Sequence, residues 1–296
     1  MLRHGLGTGL TTGLRTRFWS GAIALAVAVT ASVVAGLGPG VAGARVAVAA
    51  VSVTSRATAV QRSIPAETTQ LVVGLANDWS STRATLTRFE RKSGGSWSRV
   101  GPAIAARLGP TGLAWGRGLV DVTQLAATAA GTAPEKVEGD KRAPAGAFAL
   151  DTVYAYDAAW AKRTAMPFIN VGPRDLFVED PTSALYNTHV RLDHLPGTAW
   201  EKEQQMEQGD EAHRLKVFVG HNTNPPVPGR GSAIYLHVWR RDGASPTAGC
   251  TAMSFDSLRA IVGWLQPTAN PVFVLLPKGA YTSIASAWDL PPIGNR

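Results

Sequence analysis

The sequence carries a single cysteine, Cys250, among 296 residues. No disulfide can close within the chain, so its fold must rest on packing and hydrogen bonds alone. Acidic residues are missing from the first 62 positions, which hold six arginines (Arg3, Arg15, Arg17, Arg45, Arg56 and Arg62). Removing those six from the 29 basic residues leaves 23 against 21 acidic residues in the remainder. The formal charge of +8 therefore belongs to the N-terminal segment. A nearly neutral remainder has no broad basic face for phosphate backbones, so nucleic acid is not an expected partner. The zinc spacing His-x-x-x-His, a P-loop and the Gly-x-Ser-x-Gly elbow are also missing, although His189, His194, His213 and His221 are scattered through the middle of the chain. Neither a metal centre, a cofactor nor a serine nucleophile at Ser245 is expected.

What is present begins with a leader. Arg3, Arg15 and Arg17 precede an apolar run from Gly21 to Leu37, and two small-residue sites follow, Ala42-Gly43-Ala44 and Ala47-Val48-Ala49. That order is the order of a secretory signal peptide. Residues 1–49 are read as the leader, and residues 50–66 as a linker. The apolar run is near the minimum length that spans a bilayer, so an uncleaved anchor is the alternative. Either way the domain at 67–296 is expected outside the cytoplasm, in the cell wall or beyond it, with membrane contact only through the leader. An exported lone thiol is then buried and inert, paired with another chain, or reactive.

The pattern from Gln70 onward is β-rich and punctuated by glycine. Leu71–Val73, Ala84–Arg91, Trp97–Ala105, Leu113–Trp115, Ala147–Val153, Leu215–Val219 and Ala233–Trp239 read as strands. Residues 199–212 form a strongly polar helical candidate. Ser254 is a plausible N-cap, and Leu258, Ile261, Val262 and Leu265 fall at i, i+3, i+4 and i+7 before the stop at Pro267. Val272–Leu276 is a continuous apolar run that fits a central strand. The fold class predicted is mainly β with one or two helices, in one domain.

Cys250 lies in Ser245-Pro246-Thr247-Ala248-Gly249-Cys250-Thr251-Ala252-Met253, ahead of the Ser254 helix. A thiolate attacks an acyl carbon once a base takes its proton and donors stabilise the oxyanion. Gly249 permits close approach, and the amides from Gly249 to Thr251 are the expected oxyanion donors. The nearby helix N-terminus is expected to lower the thiol pKa. The base candidate is His237, 13 positions earlier on the Ala233–Trp239 strand. Each residue alone also fits a buried structural role; together they suit Cys-His acyl chemistry.

These residues carry a resemblance. The run from Gly231 to Pro277 resembles the catalytic segment of the L,D-transpeptidase (YkuD-type) family, in which a His-bearing strand is followed by Ser/Thr-x-Gly-Cys, a Met, a helix and a closing strand. The matching positions are His237, Thr247, Gly249, Cys250 and Met253. Upstream, Glu138 to Gly146 (EGDKRAPAG) is similar to the family's Gly-Asp-x-x-Thr-Pro-x-Gly loop. The resemblance spans roughly residues 110–278. It implies a β-sandwich-like catalytic domain in which Cys250 attacks a diamino-acid carbonyl in a peptidoglycan peptide stem, releasing terminal D-Ala, with His237 as base and then acid. The sequence departs from the pattern at Ala248, where the family has His or Arg, and at Ala252, where it commonly has an Arg thought to hold substrate. Arg240, Arg241 and Arg230 are candidate replacement charges, and His221-Asn222 a candidate cleft lining. Two alternatives keep the fold: an L,D-carboxypeptidase or other amide hydrolase with the same Cys-His pair, and an envelope-binding module without activity.

Overall fold

A computed structural model describes residues 63–122 and 133–292. The expected leader and most of the expected linker lie outside the described residues.

The centre of the fold is built from strands buried on both faces. β1 (Gln70–Ala76) and β12 (Val272–Pro277) run parallel, with Leu71 opposite Val272 and Leu75 opposite Leu276. Both are apolar almost throughout, as a strand covered on both sides requires. β1 continues antiparallel into β2 (Arg83–Glu90), and β2 into β3 (Ser98–Arg107). β2 alternates exposed and buried residues at its start, the mark of a strand with one wet face.

β4 (Leu113–Trp115) leads to β5 (Ala143–Ala155), the longest strand. The first half of β5 pairs with β12, and its second half pairs with β9 (Leu215–Val219) after a register irregularity between Leu150 and Val153. Such a bulge bends a strand and lets it serve two neighbours. From β9 the sheet passes through β10 (Tyr235–Val238) and β11 (Thr251–Met253) back to β3. Since β12 pairs with both β1 and β5, the sheet closes on itself. The small β6 (Phe168–Asn170) adds to β5, while β7 (Asp175–Phe177) and β8 (His189–Arg191) form a separate antiparallel pair. The result is the mainly β, sandwich-like architecture expected.

Three α-helices are described. α1 (Ala199–Glu203) opens with a capping box between Thr198 and Glu201. It is much shorter than the 199–212 helix predicted. The Gln204 carbonyl is taken by the Phe177 amide and the Met206 amide by the Asp175 carbonyl, so the backbone is drawn out of the helix and onto β7. α2 (Phe255–Trp264) is the helix its periodicity predicts: Ser254 accepts from the Ser257 amide, and Leu258, Ile261 and Val262 are buried. It covers β10. α3 (Lys278–Ile284) follows β12 directly.

The buried side chains form two clusters. The larger holds Leu236, Val238, Val217, Met253 and the α2 face, together with β1, β5 and β12. The smaller, on the other face of β9 and β10, holds Tyr154, Phe177, Met206, Phe218 and Tyr235, with Cys250 packed against it.

Candidate active site

The register explains how the candidate residues meet. His237 on β10 stands opposite Lys216 on β9 and Ala252 on β11. Residues paired across a sheet point to the same face, and that face recurs every second residue. Tyr235, Phe218 and Cys250 therefore share the face of His237, whereas Leu236, Val238 and Met253 face the core under α2. A cleft of about 260 Å³ opens on the first face, lined among others by Cys250, His237, Lys216, His213, Glu179 and Arg240.

The loop before Cys250 is held by its own side chains. Thr247 Oγ1 donates to the Cys250 carbonyl at 2.7 Å and accepts from the Gly249 amide at 3.2 Å. Gly249 has φ +136°, and a Cβ there would stand 2.9 Å from the Arg142 carbonyl. Only glycine fits that conformation and that approach. Arg142 belongs to the EGDKRAPAG loop, so the two sequence motifs are physically one structure, with the upstream loop backing the Cys250 loop. Asp140 fixes the upstream loop by accepting from the Val137 and Arg142 amides and pairing with Lys136.

Cys250 is partly buried. Its Sγ accepts from the Tyr235 amide at 3.4 Å and lies 3.5 Å from the Ala233 carbonyl, to which the thiol proton can donate. Burial pushes the thiol up to about 11, against the weaker opposing effect of the Tyr235 amide. This corrects the expectation of a helix-lowered pKa. The three residues of β11 stand between Cys250 and α2, and a helix N-terminus acts only within about a turn. Desolvation therefore dominates, and Cys250 rests as a thiol.

His237 is only 5 % exposed. Its Nδ1 lies 2.8 Å from the Val238 carbonyl, which assigns the proton to Nδ1 and leaves Nε2 as the acceptor nitrogen. Burial, followed by the charge of His213, drives its pKa down to about 3. The ring stacks on His213 at 5.4 Å. His213 Nδ1 in turn bonds Asp210, which also pairs with Arg240 at 2.5 Å.

The other expected site residues separate. Thr251 is buried within β11, and the Gly249 amide is already occupied by Thr247. Arg240 lines the cleft. Arg241 does not; it has φ +50° and is exposed. Arg230 pairs with Glu135 at 2.9 Å, also away from the cleft. His221 and Asn222, each 1 % exposed, are likewise not among the cleft-lining residues and fasten loops. His221 Nδ1 accepts from the Arg117 amide, and Nε2 donates to the Arg230 carbonyl. Asn222 bonds Val227 and Gly231. None of these four lines the cleft: His221 and Asn222 are framework residues, and Arg230 and Arg241 lie on the surface.

Three cleft-side residues escaped the sequence reading. Lys216 is a lone lysine in the apolar strand LKVFV, and that break in the pattern was its signal. His213 is stacked on His237 and gave no sequence signal. Asn187, at φ +58°, accepts from the Ala233 amide and donates to the His221 and Asn222 carbonyls, setting the approach to β10 beside the thiol. Among the described residues no group of three or more His, Cys, Asp or Glu is placed to hold a metal ion.

No curated protein and no solved structure compared with the chain gave a match. The family model for the YkuD L,D-transpeptidase catalytic domain matches residues 113–274, more than half of the 296 residues, and the chain belongs to that family.

Proposed function

We propose that this protein is an exported cysteine acyltransferase that acts on the peptide stems of peptidoglycan through a thioacyl intermediate on Cys250. The observation that carries the reading is that Cys250 and an imidazole anchored through Nδ1, that of His237, line one cleft on the same face of adjoining chain segments. Family membership supports the L,D-transpeptidase type of activity.

Within this reading His237 Nε2 takes the proton from Cys250 as Sγ attacks the carbonyl carbon of the diamino residue. The carbonyl oxygen gains the electron pair and is held by the Cys250 amide at the end of the nucleophile turn. Collapse of this intermediate breaks the amide bond, and the imidazolium gives its proton to the departing D-Ala nitrogen. In the second half an acceptor amine, deprotonated by His237, attacks the thioester and expels the thiolate, which is reprotonated. Water in the same place gives hydrolysis. Keeping both groups neutral at rest suits this sequence, because the thiol proton moves to the imidazole only as the S–C bond forms and no resting ion pair has to be dismantled first.

Intact-mass spectrometry of the soluble domain incubated with a tetrapeptide stem tests the reading. The expected adduct has the mass of the stem minus its terminal D-Ala, is lost on hydroxylamine treatment, and does not form in Cys250→Ala. An adduct that persists in that variant, or no adduct under turnover, contradicts it.

A further inference from the structure

Among the described residues Lys216 makes no ion pair, although Asp210 and Glu179 act on its charge through space. Its side chain is 3 % exposed, on a strand whose other residues are apolar. Among the described residues its contacts are the Met206 carbonyl at 3.5 Å, the long limit of a hydrogen bond, and the face of the Tyr235 ring at 5.0 Å. No carboxylate of the described residues forms an ion pair with it. Arg240 in the same cleft is matched by Asp210, whereas Glu179, also lining the cleft, acts on Lys216 only through space and makes no hydrogen bond with it. A second polar atom beside it is also unsatisfied: the Tyr235 hydroxyl is buried and has no hydrogen-bond partner, and Tyr235 is 5 % exposed.

A buried ammonium and a buried hydroxyl are each costly unless a partner meets them. An ammonium with one long hydrogen bond and an unpartnered hydroxyl, both lining one cleft, suit an anion with two oxygens. The thiolate of Cys250 does not fill that role, because burial keeps the thiol protonated and no hydrogen bond joins it to Lys216. The position points outward from the reaction centre instead. Lys216 Nζ stands 5.0 Å from the centre of the Tyr235 ring, and both residues line the same cleft as Cys250, so the two donors and the thiol belong to one site. The loss of a cation at Ala252, on the same face, leaves Lys216 the only unpaired cation lining the cleft among the described residues.

We propose that Lys216 and Tyr235 form a carboxylate-binding subsite that holds the peptide stem beside the amide attacked by Cys250. The identity of the ligand as a stem rests on the acyl-transfer reading; the carboxylate chemistry rests on the two donors. A stem offers this group from two sources, the α-carboxylate of the leaving D-residue and the side-chain carboxylate of the diamino acid.

The test is calorimetric binding of a tetrapeptide stem to the soluble domain carrying Cys250→Ala, compared with two stems in which one or the other carboxylate is an amide. One amide should weaken binding about 10- to 100-fold, the range of a hydrogen bond to a charged group, and its position names the source. In Lys216→Met the free-acid stem should weaken by a similar factor and the discrimination between acid and amide should vanish, with a Tm no lower than the parent's. Lys216→Arg should retain the preference, and Tyr235→Phe should reduce it severalfold. Equal binding of all three stems to the unsubstituted subsite overturns the proposal without any variant having to fold. It is also overturned if Lys216→Met lowers affinity for acid and amide alike, or if its sole effect is slower alkylation of Cys250 in the cysteine-containing protein. Turnover without carboxylate preference removes the subsite and keeps the acyl-transfer reading; carboxylate preference without turnover does the reverse.

Discussion

His237→Gln should lower turnover by orders of magnitude while leaving the chemical reactivity of the resting thiol almost untouched. Burial sets the Cys250 thiol at about 11 and the His237 imidazole at about 3, so the two are neutral together over the whole range between. At pH 7 the thiolate fraction is then about 10⁻⁴, against about 10⁻² for an ordinary thiol at 9.0. Iodoacetamide should alkylate Cys250 about 100-fold more slowly than a free cysteine at pH 7, and about tenfold faster for each pH unit up to about 11. Glutamine keeps the bulk of the ring and its amide can still meet the Val238 carbonyl. Removing a neutral imidazole changes no charge near Sγ, so the alkylation profile should stay within about twofold of the parent. Acyl transfer, which needs the base in the transition state, should fall about 10²- to 10⁴-fold. An inflection between pH 5 and 8 that disappears in the variant would refute this reasoning, because it would reveal a resting thiolate–imidazolium pair.

The nucleophile loop and the buried histidines give further expectations. Thr247→Val removes the bonds to the Cys250 carbonyl and the Gly249 amide and strands a buried N–H; stability should fall by about 1–3 kcal/mol in urea titration, with a larger loss of turnover. Gly249→Ala should be worse, since it combines a forbidden φ with a carbonyl at 2.9 Å, while Gly139→Ala, at φ +72° with open space around it, should cost only about 1–2 kcal/mol. His221 is held at about 4 by burial, below its ordinary 6.5. A lowered pKa means the folded state binds fewer protons than the unfolded one, so this stability is complete above 6.5 and is lost as pH falls toward 4. Between pH 7.5 and 4.5 the parent should lose about 2–3 kcal/mol more than His221→Gln; equal losses in urea titrations would show that His221 carries no such linkage.

The legible parts of the fold were those with repetition. α2 showed itself through Leu258, Ile261 and Val262 at helical spacing behind a serine cap, and β12 through an unbroken apolar run. Of the five three-residue strands, β4 was readable as an apolar run, whereas β6, β7, β8 and β11 are too short for a period of two to register. They exist because neighbouring backbone recruits them. The same recruitment shortened α1, whose polar sequence favours a helix until β7 claims the Gln204 carbonyl and Met206 amide. At the site, His237, Gly249 and Cys250 could be selected because their chemistry is distinctive in sequence. Whether an arginine reaches the cleft depends on loop paths, and Arg230 and Arg241 are carried away from it. The sign of the thiol shift was also out of reach, since it depends on how much protein surrounds Sγ. Sequence proximity to a helix offered no measure of that.

The most direct test is the set of products made from intact muropeptides by the protein and by its Cys250→Ala variant. Mass spectrometry should find cross-linked dimers lacking one terminal D-Ala with the parent protein and none with the variant. Shortened monomers without dimers would replace transfer with hydrolysis through the same thiol. Unchanged muropeptides with the folded parent protein would contradict the claim that Cys250 and His237 work on these stems.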